Sequence, residues 1–187
     1  MAVPLGSRIL GILTLITGIL FLLFLLFLAY SRKEMKKQHP SMLIEAIWDF
    51  IRKNSIALAW LFAFAATSGS LYYSEILKYT PCELCWYQRI LMYPLVLLLA
   101  IAWYRKNYRF GVYVVPMAII GALFSAYHYM IQRIDAIGQL ASCGAVGEAS
   151  CTVPYTFQFG YITIPMMAFT AFVWIAILMY FGKKMNA

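Results

Sequence analysis

Two cysteines three positions apart, Cys82 and Cys85, lie in the run Thr80-Pro81-Cys82-Glu83-Leu84-Cys85. A C-x-x-C pair is close enough to close a disulfide and is the usual spacing of a redox-active dithiol. Thr80 and Glu83 have the spacing of a capping box, and Pro81 would then occupy the first helical position, where its missing N–H costs nothing. The pattern predicts a helix that starts here with Cys82 in its first turn. The partial positive charge of a helix N-terminus favours a thiolate there.

Arg89 follows Cys85 by four residues, so a helix would carry both on one face, about 6 Å apart along its axis. Three uses of it stand side by side: lowering the Cys85 pKa, binding a polar oxygen of a membrane-soluble ligand, or snorkelling to headgroups. The other two cysteines, Cys143 and Cys151, lie in the polar connection Arg133–Phe159 with Gly144 and Gly147 between them. Read alone, that pair is a structural staple. Beside a second, reactive pair, exchange between the two pairs is the alternative. Zinc is disfavoured because the second pair is not C-x-x-C and no adjacent His or carboxylate completes a familiar set. A c-type haem would need His after Cys85, where Trp86 stands. His128 is open to two readings, an interfacial polar residue or a hydrogen-bond donor to a quinone carbonyl. Glu75, Glu83, Asp135 and Glu148 form no acid–base dyad and read as solvated.

What must position these residues is membrane-spanning. Of 187 residues, 64% are hydrophobic and 12% charged, and the mean hydropathy is +0.77. A soluble domain would carry about 25% charged residues, and no stretch is left for a separate soluble catalytic domain. Five apolar runs, Ile9–Tyr30, Ile56–Ser74, Leu84–Tyr104, Phe110–Gln132 and Gly160–Phe181, are each long enough to cross a bilayer as a helix. Pro94, Pro116 and Pro165 fall inside three of them as tolerated kinks. The expected fold is all-α: an antiparallel four-helix transmembrane bundle plus one extra N-terminal transmembrane helix. Residues 1–53 would hold that helix and a basic connector, and residues 54–187 the four-helix domain.

A net charge of +8 would point to nucleic acid in a soluble protein. Here the basic residues sit between the spans: Arg32, Lys33, Lys36, Lys37, Arg52 and Lys53, then Arg105, Lys106 and Arg109, then Lys183 and Lys184. With alternating helices all of these share one side. The positive-inside rule makes that side, and the C-terminus, cytoplasmic. Both cysteine pairs then lie outside, where disulfides persist, and nucleic acid is not expected. The first run exceeds a signal-peptide core and is barely basic before it, so it reads as a retained helix. Met42–Ile51 is amphipathic enough to lie on the inner leaflet and equally suits a helical connector. Tyr and Trp at the run ends read as interfacial belts.

Pro-Cys-Glu-Leu-Cys-Trp-Tyr-Gln-Arg at 81–89 resembles the signature of the bacterial disulfide bond formation protein B (DsbB) family. Tyr127-His128-Tyr129-Met130-Ile131-Gln132 is similar to the His-containing end of that family's third helix, and Phe159-Gly160-Tyr161-Ile162-Thr163-Ile164-Pro165 to the start of its fourth. The short gap between Cys143 and Cys151 resembles the short-loop, BdbC-type branch. The likeness covers roughly residues 54–182 and leaves residues 1–53 outside the usual four-helix pattern.

The resemblance implies an electron relay in the bacterial cytoplasmic membrane. The partner would be an extracytoplasmic, DsbA-like thioredoxin-fold thiol oxidase, and the cofactor a quinone, ubiquinone or menaquinone, from the membrane pool. Cys143 and Cys151 would take electrons from the partner and Cys82 and Cys85 would pass them on, with Arg89 and His128 holding the quinone. A vitamin K epoxide reductase-like protein is the enzyme rival, but there the loop pair precedes C-x-x-C. A small transporter or a scaffold with structural disulfides is the non-enzyme alternative; the spans offer few polar groups for a transport path.

Overall fold

The computed structural model describes residues 5–34, 41–134 and 150–186. Among them five helices are long and apolar enough to cross a membrane: α1 (Leu5–Glu34), α2 (Met42–Leu71), α3 (Glu83–Tyr104), α4 (Gly111–Arg133) and α5 (Ile164–Asn186). The chain is an all-α, multi-pass membrane protein. Helices α2 to α5 form an antiparallel bundle in which α2 packs on α3, α3 on α4, α4 on α5 and α5 back on α2. The extra N-terminal helix, α1, lies outside this ring against α5.

Lipid supplies no hydrophobic drive for one helix to find another, so the bundle is held by close packing. The core is built from Ala59, Ala63, Leu95, Leu99, Ala118, Phe172 and Ile175, all wholly buried. Alanines on α2 and α4 let bulkier α3 and α5 side chains seat between them. At Gly121 on α4 a Cβ would stand 2.3 Å from the Phe172 ring, so only glycine permits this approach. Outward-facing Leu22, Leu97 and Leu123 are more than half exposed, which suits contact with acyl chains.

Helix ends follow local chemistry. Asn107 accepts a hydrogen bond from the Arg109 backbone N–H and caps a 3-10 turn, Tyr108–Phe110, between α3 and α4. Lys106 takes the left-handed conformation there, with φ 48°. Pro94 and Pro116 lie inside α3 and α4 as expected. Pro165 does not kink a helix: it is the second residue of α5, a first-turn position that needs no N–H. The fifth apolar run therefore starts its helix at Ile164 rather than Gly160. A tight turn delays it, with Phe159 and Gly160 both at positive φ (51° and 79°) and an antiparallel bridge between Gln158 and Ile162.

Two further differences concern α2. Met42–Ile51, open to two readings in the sequence, is continuous with the span that follows, so α2 crosses the expected division at 53/54 as one helix. At its other end α2 widens into a π turn, Tyr72–Ile76. The Leu77 N–H there reaches back five residues to the Tyr72 carbonyl. Such a turn holds one residue more than an α-turn, and it turns Tyr73 inward, 4% exposed.

Candidate active site

The first cysteine pair lies where α3 begins, but the helix starts later than the capping pattern predicts. Cys82, with φ −72° and ψ 171°, is itself the N-cap, and Glu83 is the first helical residue. The capping box does not form. Glu83 instead accepts a hydrogen bond from the Tyr87 hydroxyl at 2.7 Å, and the Thr80 carbonyl accepts one from Tyr155 at 3.0 Å. The consequence for Cys82 is small, because the N-cap also lies at the positive end of the helix dipole.

Cys82 and Cys85 are both thiols, their sulfurs 3.1 Å apart. A disulfide needs about 2.05 Å, so closure asks for about 1 Å of movement. Cys82 is 4% exposed and Cys85 half-buried. His128 Nε2, from α4, lies 3.6 Å from the Cys82 sulfur. The other ring nitrogen, Nδ1, is 3.0 Å from Gln88 Nε2. An amide nitrogen only donates, so Nδ1 is the acceptor and in a neutral ring the proton sits on Nε2, facing Cys82. Gln132 Nε2 stands 3.4 Å from that same nitrogen. The neighbouring Cys85 thiol, and then the hydrogen bond and charge of His128, hold the Cys82 thiol well below the usual thiol range despite burial.

Cys151 also belongs on this side. It is 1% exposed and packs in one apolar cluster with Cys82, Leu84 and Ile131. It is disulfide-bonded. Cys143 lies outside the described residues. The segment carrying Cys151 is fixed to the bundle by Tyr155, whose ring stacks on Tyr79 at 4.8 Å. Arg133 adds a second attachment, stacking over Phe157 at 5.0 Å and donating to the Gly160 carbonyl.

Cys85 packs on this cluster too and also opens onto a second space. It lines a cavity of about 460 Å³ together with Ser70, Tyr73, Gln88, Arg89 and Tyr155. Arg89 is bonded to α2. Its Nε donates to Ser70 Oγ at 2.9 Å and its Nη2 to the Ser70 carbonyl at 3.1 Å, while Trp86 lies 5.4 Å from the guanidinium carbon. These bonds hold the charge beside the cavity and leave further N–H donors without a partner among the described residues. A pocket of 300–1,000 Å³ that is mostly apolar with a few convergent polar groups is the usual form of a small-molecule site. This one fits a quinone: apolar walls for a ring and tail, and Arg89 to donate to a ring oxygen.

Of the six residues singled out from sequence, the fold thus brings five together and divides them. Arg89 and Cys85 share the cavity. His128 lies beside Cys82 and does not line that cavity. Sequence proximity offered no His near the cysteines, yet Cys82, Cys85 and His128 place their ligand-capable atoms within 4.8 Å of one another. That closeness equally serves a thiol–imidazole pair. Sequence reasoning missed Gln88, Ser70 and Tyr155. Only Gln88, a polar residue in an apolar run one helical turn beyond Cys85, left a signal.

Residues 52–182 match the family model described as "Disulfide bond formation protein DsbB". A "Probable disulfide formation protein C 1" of Bacillus anthracis is 50% identical over 128 residues, 67% of this chain and 91% of that protein. The "Disulfide bond formation protein C" of Bacillus subtilis (strain 168) is 50% identical over 121 residues, 65% of this chain and 86% of its own length. A "Probable disulfide formation protein" of Oceanobacillus iheyensis is 47% identical over 126 residues, 67% and 86% of the two chains. No solved structure matches the chain. With a reactive-cysteine geometry at the head of α3 and a family match over most of the chain, the protein belongs to the DsbB family, in its BdbC-type branch, and is a membrane disulfide oxidoreductase.

Proposed function

We propose that this chain is a thiol:quinone oxidoreductase that reoxidises an extracytoplasmic, DsbA-like thioredoxin-fold partner and delivers the electrons to a membrane quinone. The observation that carries this reading is that Cys85 stands between the His128 flank, which it shares with Cys82, and a cavity that Cys82 does not line. Cys82 faces His128 and the buried Cys151; Cys85 faces the cavity that holds Arg89.

The exchange runs in four steps. A partner thiolate attacks the Cys143–Cys151 disulfide at Cys143, and Cys151 leaves as a thiolate. The second partner thiol attacks the mixed disulfide, freeing Cys143 and closing the partner's disulfide. Cys151 attacks Cys82 within an oxidised Cys82–Cys85 pair, expelling Cys85 as a thiolate. Cys143 then attacks Cys151, re-forming the loop disulfide and releasing Cys82. Two electrons and two protons have moved inward, and the inner pair is the dithiol. A bound quinone supplies an acceptor for those two electrons and two protons. Exchange needs a thiolate attacker and a stabilised leaving thiolate. His128 provides a proton-handling group at Cys82, while Gln88 fixes its tautomer. Arg89, pinned by Ser70, orients a ring oxygen and offsets negative charge at Cys85. The burial of Cys151 leaves Cys143 as the sulfur a folded partner would reach.

We place both pairs on the extracytoplasmic side and the C-terminus in the cytoplasm of a bacterium. The support is the charge pattern: Arg105, Lys106 and Arg109 mark the end of α3 and α4 remote from Cys82. The test is quinol formation by the purified protein with ubiquinone or menaquinone and a reduced thioredoxin-fold dithiol donor. Turnover that Cys85→Ser abolishes is the expected result; turnover that survives Cys85→Ser would overturn the assignment.

A further inference from the structure

α1 lies before the region matched by the family, which begins at residue 52, yet it forms part of the site. Its inward residues recur at seven-residue spacing: Ser7, Thr14 and Phe21 on one line, Leu10, Thr17 and Phe24 on the other, all buried or partly so. This is the seam of a helix docked along its length. The seam has two halves of different character. Toward the basic end Phe21 and Phe24 pack on Trp174 of α5, with ring centroids 5.9 and 5.6 Å away. Toward the cysteine end the seam is small and polar, and there Leu10, Leu13, Thr14 and Thr17 line the same cavity as Cys85 and Arg89.

The cysteine end of α1 is held by buried polar contacts. Gln158 donates to the Ser7 carbonyl at 2.7 Å and stands 2.6 Å from Ser7 Oγ. Ser7 Oγ is in turn 3.2 Å from the Tyr73 hydroxyl. Ser7 and Gln158 are 0% and 7% exposed. Trp174 Nε1 donates to the Thr17 carbonyl at 3.2 Å. A polar group buried in apolar surroundings is costly unless partnered, so these bonds select one register of α1 against the bundle. Gly11 shows how close that register is: a Cβ there would stand 1.8 Å from Gln158 Oε1. The Thr14 and Thr17 hydroxyls donate back to the carbonyls of Leu10 and Thr14. They therefore present lone pairs, not protons, to the cavity.

We propose that α1 is the selective wall of the quinone cavity: through Leu10, Leu13, Thr14 and Thr17 it limits the width of the ring that can lie beside Cys85 and Arg89. This rests on the quinone reading above, and it makes α1 a specificity element packed on the four-helix bundle.

The test uses the full chain and two photoreactive probes, an azido-benzoquinone and an azido-naphthoquinone with the same isoprenoid tail. Labelled peptides are identified by mass spectrometry, and KM is measured for the parent quinones. In the wild type the label is expected on residues 9–32 as well as on α3. Thr14→Trp, which fills the cavity from α1, is expected to lose that label and raise KM about tenfold, more for the two-ring quinone than the one-ring. Gly11→Leu, which pushes α1 off Gln158, is expected to lose the α1 label and narrow the difference between the two rings. Alkylation of Cys82 and Cys85 at the wild-type rate verifies that each variant is folded. Wild type that forms quinol but is labelled only outside α1, or a folded Thr14→Trp with both KM values unchanged, overturns the wall. Wild type that neither forms quinol nor takes label overturns the underlying reading and the wall with it.

Discussion

The two flanks of the inner cysteine pair make opposite environments three residues apart. On the flank where Cys82 lies the space between side chains is about 10 Å³, bordered by both cysteines, His128, Gln132 and the Cys151 segment. On the Cys85 flank it is about 460 Å³, and largely apolar. The small space admits a sulfur and a proton; the large one admits a ring. A C-x-x-C pair at a helix start is nearly symmetric in sequence. The fold breaks that symmetry by opening the α1–α2 side to Cys85 and not to Cys82.

The comparison can be broken most directly at His128. The Cys82 thiolate persists as pH falls below the ordinary thiol value of about 8.5, because the Cys85 thiol and then the imidazole lower its pKa. Alkylation of the dithiol form by iodoacetamide should then stay fast well into the neutral range. In His128→Ala the midpoint should rise and the rate at pH 7 should drop by about tenfold or more, with quinone KM unchanged. A raised KM with unaltered alkylation would move His128 to the other flank.

Arg89→Ala should do the reverse, raising quinone KM by about tenfold, for a lost charged hydrogen bond of about 1.5–3 kcal/mol, and sparing Cys82 alkylation at pH 7. Arg89→Lys should recover only part, since a point charge cannot keep the two-point grip on Ser70. The smallest effect is expected for Ser70→Ala. It removes the Oγ acceptor but leaves the carbonyl, so KM should shift by about threefold. A Ser70→Ala effect as large as that of Arg89→Ala would mean that anchoring, not charge, is the function of Arg89.

The helices, their order and the cysteine motif were legible because each is written in a contiguous stretch. Apolar runs of bilayer length and C-x-x-C before an apolar helix need no knowledge of the fold. The seat of His128 was not legible, since its neighbours Cys82 and Gln88 lie 46 and 40 positions away and only the α3–α4 packing joins them. The start of α3 was misplaced for a local reason: Thr80-x-x-Glu83 has capping spacing, but the extended conformation of Cys82 ends the non-helical segment one residue before Glu83. The contribution of α1 to the cavity was hidden because threonine and glycine in a hydrophobic run look like ordinary membrane residues until a partner face is known.

The π turn at Tyr72–Ile76 has a consequence for how this site tolerates change. It holds one residue more than the regular helix would, and that surplus faces Tyr73 toward Ser7 and the cavity. Deleting any one residue between 72 and 76 would let the helix close its normal turn and swing every later side chain by about 100°. The side chains after the missing residue would leave their seats, and the segment that leads to Cys82 would arrive a step short. Here the protein reads length before identity: many single replacements would be absorbed, whereas the loss of one codon would not.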